Sequence, residues 1–341
     1  MINRRFEPPK GPGIDRRSFV AGVALLAAPF VRPASAGAPL KVQLQWLKNV
    51  ESAGHFVALK QGFFREVGLD VSLTAGGPQI DPVALLASGA ADVAMVSSPL
   101  SILAARARGV PIVVLGCGAT KSALGLAARA DRGLTLPTAI KGAKIGYQPV
   151  NRTLLKAILK ANKLSENDIT PTVVTGDPTM LIEGRIDLMT VSVLNVPLAM
   201  KERGIEASTW LAYDLGVPLQ GSVVTCLENT LTKRRDEITR FLGALGKGWA
   251  YNIAHPDEVA ATVAAEFGEG LNVAHQTAYN RGQIALISTD VTKSKGLFWI
   301  ERSSWEAANA AAHDTGIIDT PVSLDNLLDI SLLETAKLPK A

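Results

Sequence analysis

Cysteine and histidine are scarce, with two Cys and four His in 341 residues. His55, His255, His275 and His313 are scattered, with no His pair and no Cys or acidic cluster at metal-ligand spacing, so no zinc or iron site is expected. Cys117 and Cys226 lie far apart, each on a predicted strand. Buried free thiols are the ordinary outcome there, and a disulfide is the alternative open to an oxidising compartment. No catalytic thiol is implied. The glycine-rich AGGP at Ala75 lacks the Lys-Ser/Thr of a phosphate loop and the spacing of a dinucleotide fingerprint, and no GxSxG nucleophile turn occurs. The apolar run over residues 20–31 falls well short of the roughly 20 residues that cross a bilayer, and Gly22 and Pro29 interrupt it.

That run follows Arg16-Arg17 and Ser18-Phe19 and precedes Ala34-Ser35-Ala36. The order is that of a twin-arginine export signal over residues 1–36, cleaved near Ala36/Gly37. The segment carries six Lys or Arg and two acids, so 35 less six and 31 less two leave 29 basic and 29 acidic residues in the mature chain. The basic balance of the whole sequence therefore belongs to the signal, and no nucleic-acid partner is expected. With no Cys at the cleavage point, a soluble, monomeric periplasmic protein is the simplest expectation.

What is present is a segment that occurs twice: DPVALLASGAADVAMVS from Asp81 and DPTMLIEGRIDLMTVS from Asp177. In each, Asp-Pro starts a helix, a Gly ends it, and an Asp opens an apolar strand. Two similar α/β lobes are implied, and the flanking alternation of strands and helices reads as parallel sheets with crossover helices. The order of elements places residues 39–122 with 223–341 in one lobe and 129–214 in an inserted second lobe. Residues 123–128 and 215–222 are the expected crossings, a two-segment hinge between two doubly wound sheets.

In open α/β sheets a ligand binds outside the carboxyl ends of the strands. In the first lobe that rule selects Trp46, Asn49 and Glu51, the Gly76-Gly77-Pro78 turn, Ser97, Ser98 and Lys121. In the second it selects Tyr147, Gln148, Asn151, Asp177, Asn195 and Tyr213, with Asp214 beside the last. Some have a second role open to them: Asp177, Asn151 and Asn195 also suit helix caps, and Trp46 also suits a core. A mixed aromatic and amide set of this kind fits a flat polar heterocycle.

The blocks VQLQWLKNVESAGHFVALKQGFFREVGLDV, GGPQIDPVALLASGAADVAM, KGAKIGYQPVN and DPTMLIEGRIDLMTVSVLNVP resemble the periplasmic solute-binding proteins of ABC importers related to thiamine-pyrimidine synthase. The resemblance spans nearly all of the mature chain. It implies a two-lobed periplasmic binding protein fold of type 2 that closes on a small ligand and delivers it to an inner-membrane permease. Relatives carry pyrimidine precursors of thiamine, riboflavin, or taurine, other sulfonates and nitrate; a heteroaromatic solute is the expectation and a sulfonate the alternative. The related synthase uses a Lys and a His at the positions held here by Val96 and Leu100. Its cysteine-rich stretch is replaced by GSVVTC, leaving Cys226. Synthesis is therefore not expected, nor is a cofactor. Ser52 stands where several pyrimidine binders have His.

Overall fold

Both copies of the repeat build the same unit. Asp81 accepts hydrogen bonds from the amides of Val83 and Ala84 at the head of the helix Pro82–Ala87, and Gly89 turns the chain at φ 74°. The Asp92 carboxylate then accepts from the Lys41 amide at 2.8 Å, while its own amide donates to the Lys41 carbonyl at 2.9 Å. In the second copy Asp177 accepts from the Thr179 amide at 2.8 Å, the helix Thr179–Ile182 follows, and Gly184 turns at φ 71°. Asp187 repeats the latch on Lys144, at 2.9 and 2.8 Å. Each copy is thus tied to the parallel strand beside it in its own sheet, the one that carries Lys41 or Lys144.

The computed structural model describes residues 38–341; the expected export signal lies outside the described residues. Among the described residues ten strands form two sheets. In chain order they are β1 (Leu40–Gln43), β2 (Val71–Thr74), β3 (Val93–Val96), β4 (Ile112–Ala119), β5 (Leu124–Arg129), β6 (Lys144–Tyr147), β7 (Thr170–Val173), β8 (Leu188–Ser192), β9 (Ala207–Leu211) and β10 (Gly221–Leu227). The first sheet has the order β2-β1-β3-β10-β4 and the second β7-β6-β8-β5-β9. The two orders are equivalent: three parallel strands, then a strand that has just come across from the other sheet, then an outer strand. Because the crossing strand enters from the opposite side, β10 and β5 run antiparallel to both neighbours. The sheets are therefore mixed rather than wholly parallel as the alternation of elements suggests.

The crossings also differ from expectation. Residues 124–129 are β5, in the interior of the second sheet between β8 and β9. Leu126, Ala127 and Ala128 are fully buried there, and a Cβ on Gly125 would come within 2.0 Å of the Trp210 carbonyl oxygen. The outward connection is thus only the short stretch 120–123. The return ends at Gly221, where β10 begins, and the two connections touch where the Ser122 amide donates to the Leu219 carbonyl at 2.8 Å.

Beyond β10 the helices Glu228–Ala254 and Val273–Ile287 pack against β10 and β4 respectively, Pro256–Glu266 packs on both helices, and Arg302–Asp314 packs on the helix Pro99–Ala107. Cys117 and Cys226 are buried free thiols, pushed up to about 12 by burial. Cys117 faces Val223 across the ladder and Cys226 faces Val113, so the two are out of register for a bridge. No helix among the described residues is long and apolar enough to cross a membrane.

Candidate functional site

The carboxyl ends of β1, β3, β6 and β8 meet across a cleft between the two sheets. Its inner compartment is lined by Gln45, Glu51, Ser52, His55 and Ser97 on one side, Ser192 and Leu194 on the other, and Trp249, Tyr279 and Phe298 from the C-terminal third. A second compartment adjoins it, lined by Trp46, Gln148, Asn151, Gly176 and Asn195, and the two share Glu51, Ser97, Leu124, Ser192 and Tyr279. Among the described residues, no Lys or Arg lines either compartment.

Glu51 sits at the junction. It is carried by the single 3-10 turn Val50–Ser52, which Asn49 caps by accepting from the Glu51 amide at 2.9 Å. The turn is clamped from the helix Val273–Ile287: Gln276 accepts from the Val50 amide at 3.1 Å and Gln283 donates to the Val50 carbonyl at 2.5 Å. Gln45 donates to Glu51 Oε1 at 2.7 Å and to the Ser222 hydroxyl at 3.2 Å. Burial pushes the Glu51 carboxyl up to about 7, with the Gln45 hydrogen bond pulling the other way. Burial likewise pushes His55 down to about 3 and the Tyr279 hydroxyl well above its ordinary range. Ser222, the second residue of β10, holds φ at 53°, a conformation disfavoured for a residue with a side chain, beside Gln45.

In the second compartment Gln148 is held on three sides. It donates to the Thr175 carbonyl at 3.2 Å and accepts from Asn151 at 3.0 Å and from Thr190 at 2.9 Å. Trp46 is half-buried, not core, and reaches the second lobe: a Cβ on Gly176 would lie 3.0 Å from its Cζ2. His275 bridges the cleft on its outer side, with Nε2 2.7 Å from Asn195 Oδ1 and Nδ1 3.0 Å from Glu202 Oε1.

Of the residues that the strand-end rule selects, Trp46, Glu51, Ser97, Gln148, Asn151 and Asn195 line these two compartments. Asn49 and Asp177 lie farther out, in an open hollow beside Trp46, and both are occupied as caps; Asp177 is also paired with Arg203 at 2.8 Å. Ser98 is buried behind Ser97, in a separate hollow shared with Asn151. Three expectations do not hold. Tyr147 ends β6 next to Gln148, and alternation along the strand sends it into the core while Gln148 faces the cleft. Lys121 and Tyr213 pair with each other outside the cleft, the ammonium 4.4 Å from the ring centroid. Sequence reasoning missed Gln45, His55, Ser192, Ser222, Trp249 and Tyr279. The last two sit in helices that read as scaffold, and only the tertiary fold brings them to the strand ends.

Residues 49–259 match the family described as NMT1/THI5 like. The chain belongs to that family. Within it, the chain is 26% identical over 224 residues to the formylaminopyrimidine-binding protein of Halalkalibacterium halodurans, covering 64% of this chain and 68% of that protein. It is 21% identical over 311 residues to the riboflavin-binding protein RibY of Chloroflexus aurantiacus, covering 87% and 88%. It is also 26% identical over 227 residues to the 4-amino-5-hydroxymethyl-2-methylpyrimidine phosphate synthase THI13 of Saccharomyces cerevisiae, covering 62% and 66%. Among solved structures, the alkanesulfonate-binding protein SsuA of Xanthomonas axonopodis pv. citri superposes with a TM-score of 0.65 at 17% identity, over 86% of this chain and 99% of that one. This NMT1/THI5-like chain therefore has the periplasmic binding protein fold.

Proposed function

We propose that this protein is the exported solute-binding component of an ABC importer, and that it captures a small heteroaromatic solute, of the thiamine-pyrimidine or flavin kind, between its two lobes. The observation that carries this reading is the lining of the cleft. Aromatic rings (Trp46, Trp249, Tyr279, Phe298) and amide or hydroxyl groups surround the space, one carboxyl projects at its centre, and no cationic side chain lines either compartment. A flat ring with polar edges matches such walls. A sulfonate or nitrate would find hydroxyl donors here but no cation to balance its charge, and it would share the space with the Glu51 carboxyl. Relatives named for binding a formylaminopyrimidine and riboflavin support the same class.

Binding without chemistry is proposed over synthesis. Val96 and Leu100, at the positions where the resemblance to the synthase calls for Lys and His, are an apolar pair, both buried. Mass spectrometry of solute released from protein purified without refolding is expected to show an intact nitrogen heterocycle. Recovery of an aliphatic sulfonate would overturn the heteroaromatic reading, and conversion of the bound solute on incubation would overturn the carrier role.

A further inference from the structure

The inner compartment leaves buried polar groups of both kinds open: Trp249 Nε1 and the two ring nitrogens of His55 have no hydrogen-bond partner among the described residues, and two acceptors stand side by side. Gln45 Oε1 is buried with no hydrogen-bond partner, because Glu51 fixes the nitrogen end of that amide on itself and Ser222. Glu51 uses Oε1 for Gln45, and its Oε2 has no hydrogen-bond partner among the described residues. Both residues line the space, and Gln45 is almost wholly buried. Groups of this kind cost stability when empty and are ordinarily satisfied. A ligand that brings N–H donors satisfies both; a ligand that brings only acceptors or negative charge satisfies neither.

We infer that Glu51, with Gln45, forms a donor-selecting subsite that takes the amino edge of an N-heteroaromatic ring, a cyclic amidine, and makes Glu51 the residue that separates amino-substituted rings from their oxo counterparts. The inference rests on the heteroaromatic reading above and narrows it. A carboxyl group and a cyclic amidine match when they share one proton: the ring nitrogen and one carboxyl oxygen hold it between them, and the exocyclic N–H reaches an open acceptor. A ring with a carbonyl at that position and its N–H displaced sets acceptor against acceptor.

The shared proton gives the subsite a pH dependence. Facing Glu51 are Gln45 from the end of β1, His55 from the helix Ala53–Lys60, Tyr279 and Gln283 from the helix Val273–Ile287, and Trp249 from the helix Glu228–Ala254. His55 is held neutral down to about 3, the Tyr279 hydroxyl is held neutral by burial, and Glu51 titrates near about 7. Glu51 is thus the group in this compartment that changes charge around neutrality. Above that range both the carboxylate and an unprotonated amidine lack the proton they share, so binding takes one up and weakens as pH rises.

Calorimetric titration of the mature protein tests this, with 4-amino-5-hydroxymethyl-2-methylpyrimidine and its 4-oxo counterpart as probes. The amino probe is expected to bind at least about tenfold more tightly than the oxo probe at about pH 7, and to lose affinity toward about pH 9. Glu51→Gln, which removes a buried charge and keeps the shape, is expected to erase most of that preference and flatten the pH profile. Glu51→Asp, which keeps the carboxyl but withdraws it, is expected to retain the profile with weaker binding. If wild type binds a heterocycle yet Glu51→Gln leaves the amino-to-oxo ratio unchanged, the subsite assignment fails and the heteroaromatic reading stands. If neither probe nor riboflavin binds wild type, both fail.

Discussion

Trp46 shows how one side chain joins sequence to function. It follows β1 by three positions, at the end where ligands collect, and its half-buried indole extends over Gly176 of the second lobe. Placed so, it can cover one face of a ring, adding apolar burial and roughly 0.5–1.5 kcal/mol of aromatic contact. Trp46→Ala is expected to weaken affinity for a heteroaromatic solute at least about tenfold, and Trp46→Phe less. Thermal melts of the ligand-free variants check the competing account: a large drop without ligand would make Trp46 a core residue, whereas lost ligand-induced stabilisation alone supports its place in the site. Residues of this kind were legible because they follow a strand. His55 was not, because nothing local separates a buried histidine on a helix that faces a cavity from one that faces a neighbour, and Gln45 was passed over although it too follows β1.

The Asp that opens the apolar strand in each repeat shows how elements are assembled. Asp92 and Asp187 each bond both ways to the parallel strand beside them, β1 and β6, and Asp92 also meets Arg234 at 3.1 Å. A charge-assisted bond to a backbone amide contributes on the order of 1.5–3 kcal/mol. Asp92→Ala is therefore expected to lower unfolding stability by about that amount in urea titrations, with the denaturant slope unchanged; a change below about 0.5 kcal/mol would show that the latch is incidental. The repeat, its Asp-Pro starts and its Gly stops were readable because capping and left-handed turns are local chemistry. The direction of β10 and β5 was not: whether a strand joins a sheet parallel or antiparallel depends on which side the chain arrives from. The apolar stretch LGLAA likewise reads as a connector until the Trp210 backbone carbonyl of β9 is seen against Gly125.

At the scale of the whole molecule, two sheets of equivalent order face each other across the cleft, joined by two short neighbouring connections. Among the contacts that cross between the lobes are three beside the cleft: Trp46 against Gly176, His275 with Asn195 and Glu202, and the Tyr279 hydroxyl 3.5 Å from that of Ser192. All three depend on the lobes being together, and a solute touching both linings would favour that state by the difference in its affinity for closed and open forms. Capture by closure is the central claim, and small-angle X-ray scattering tests it most directly. Protein stripped of solute and the same protein saturated with the heterocycle that co-purifies with it should differ, the saturated sample having the smaller radius of gyration. Identical profiles at proven saturation would contradict the account.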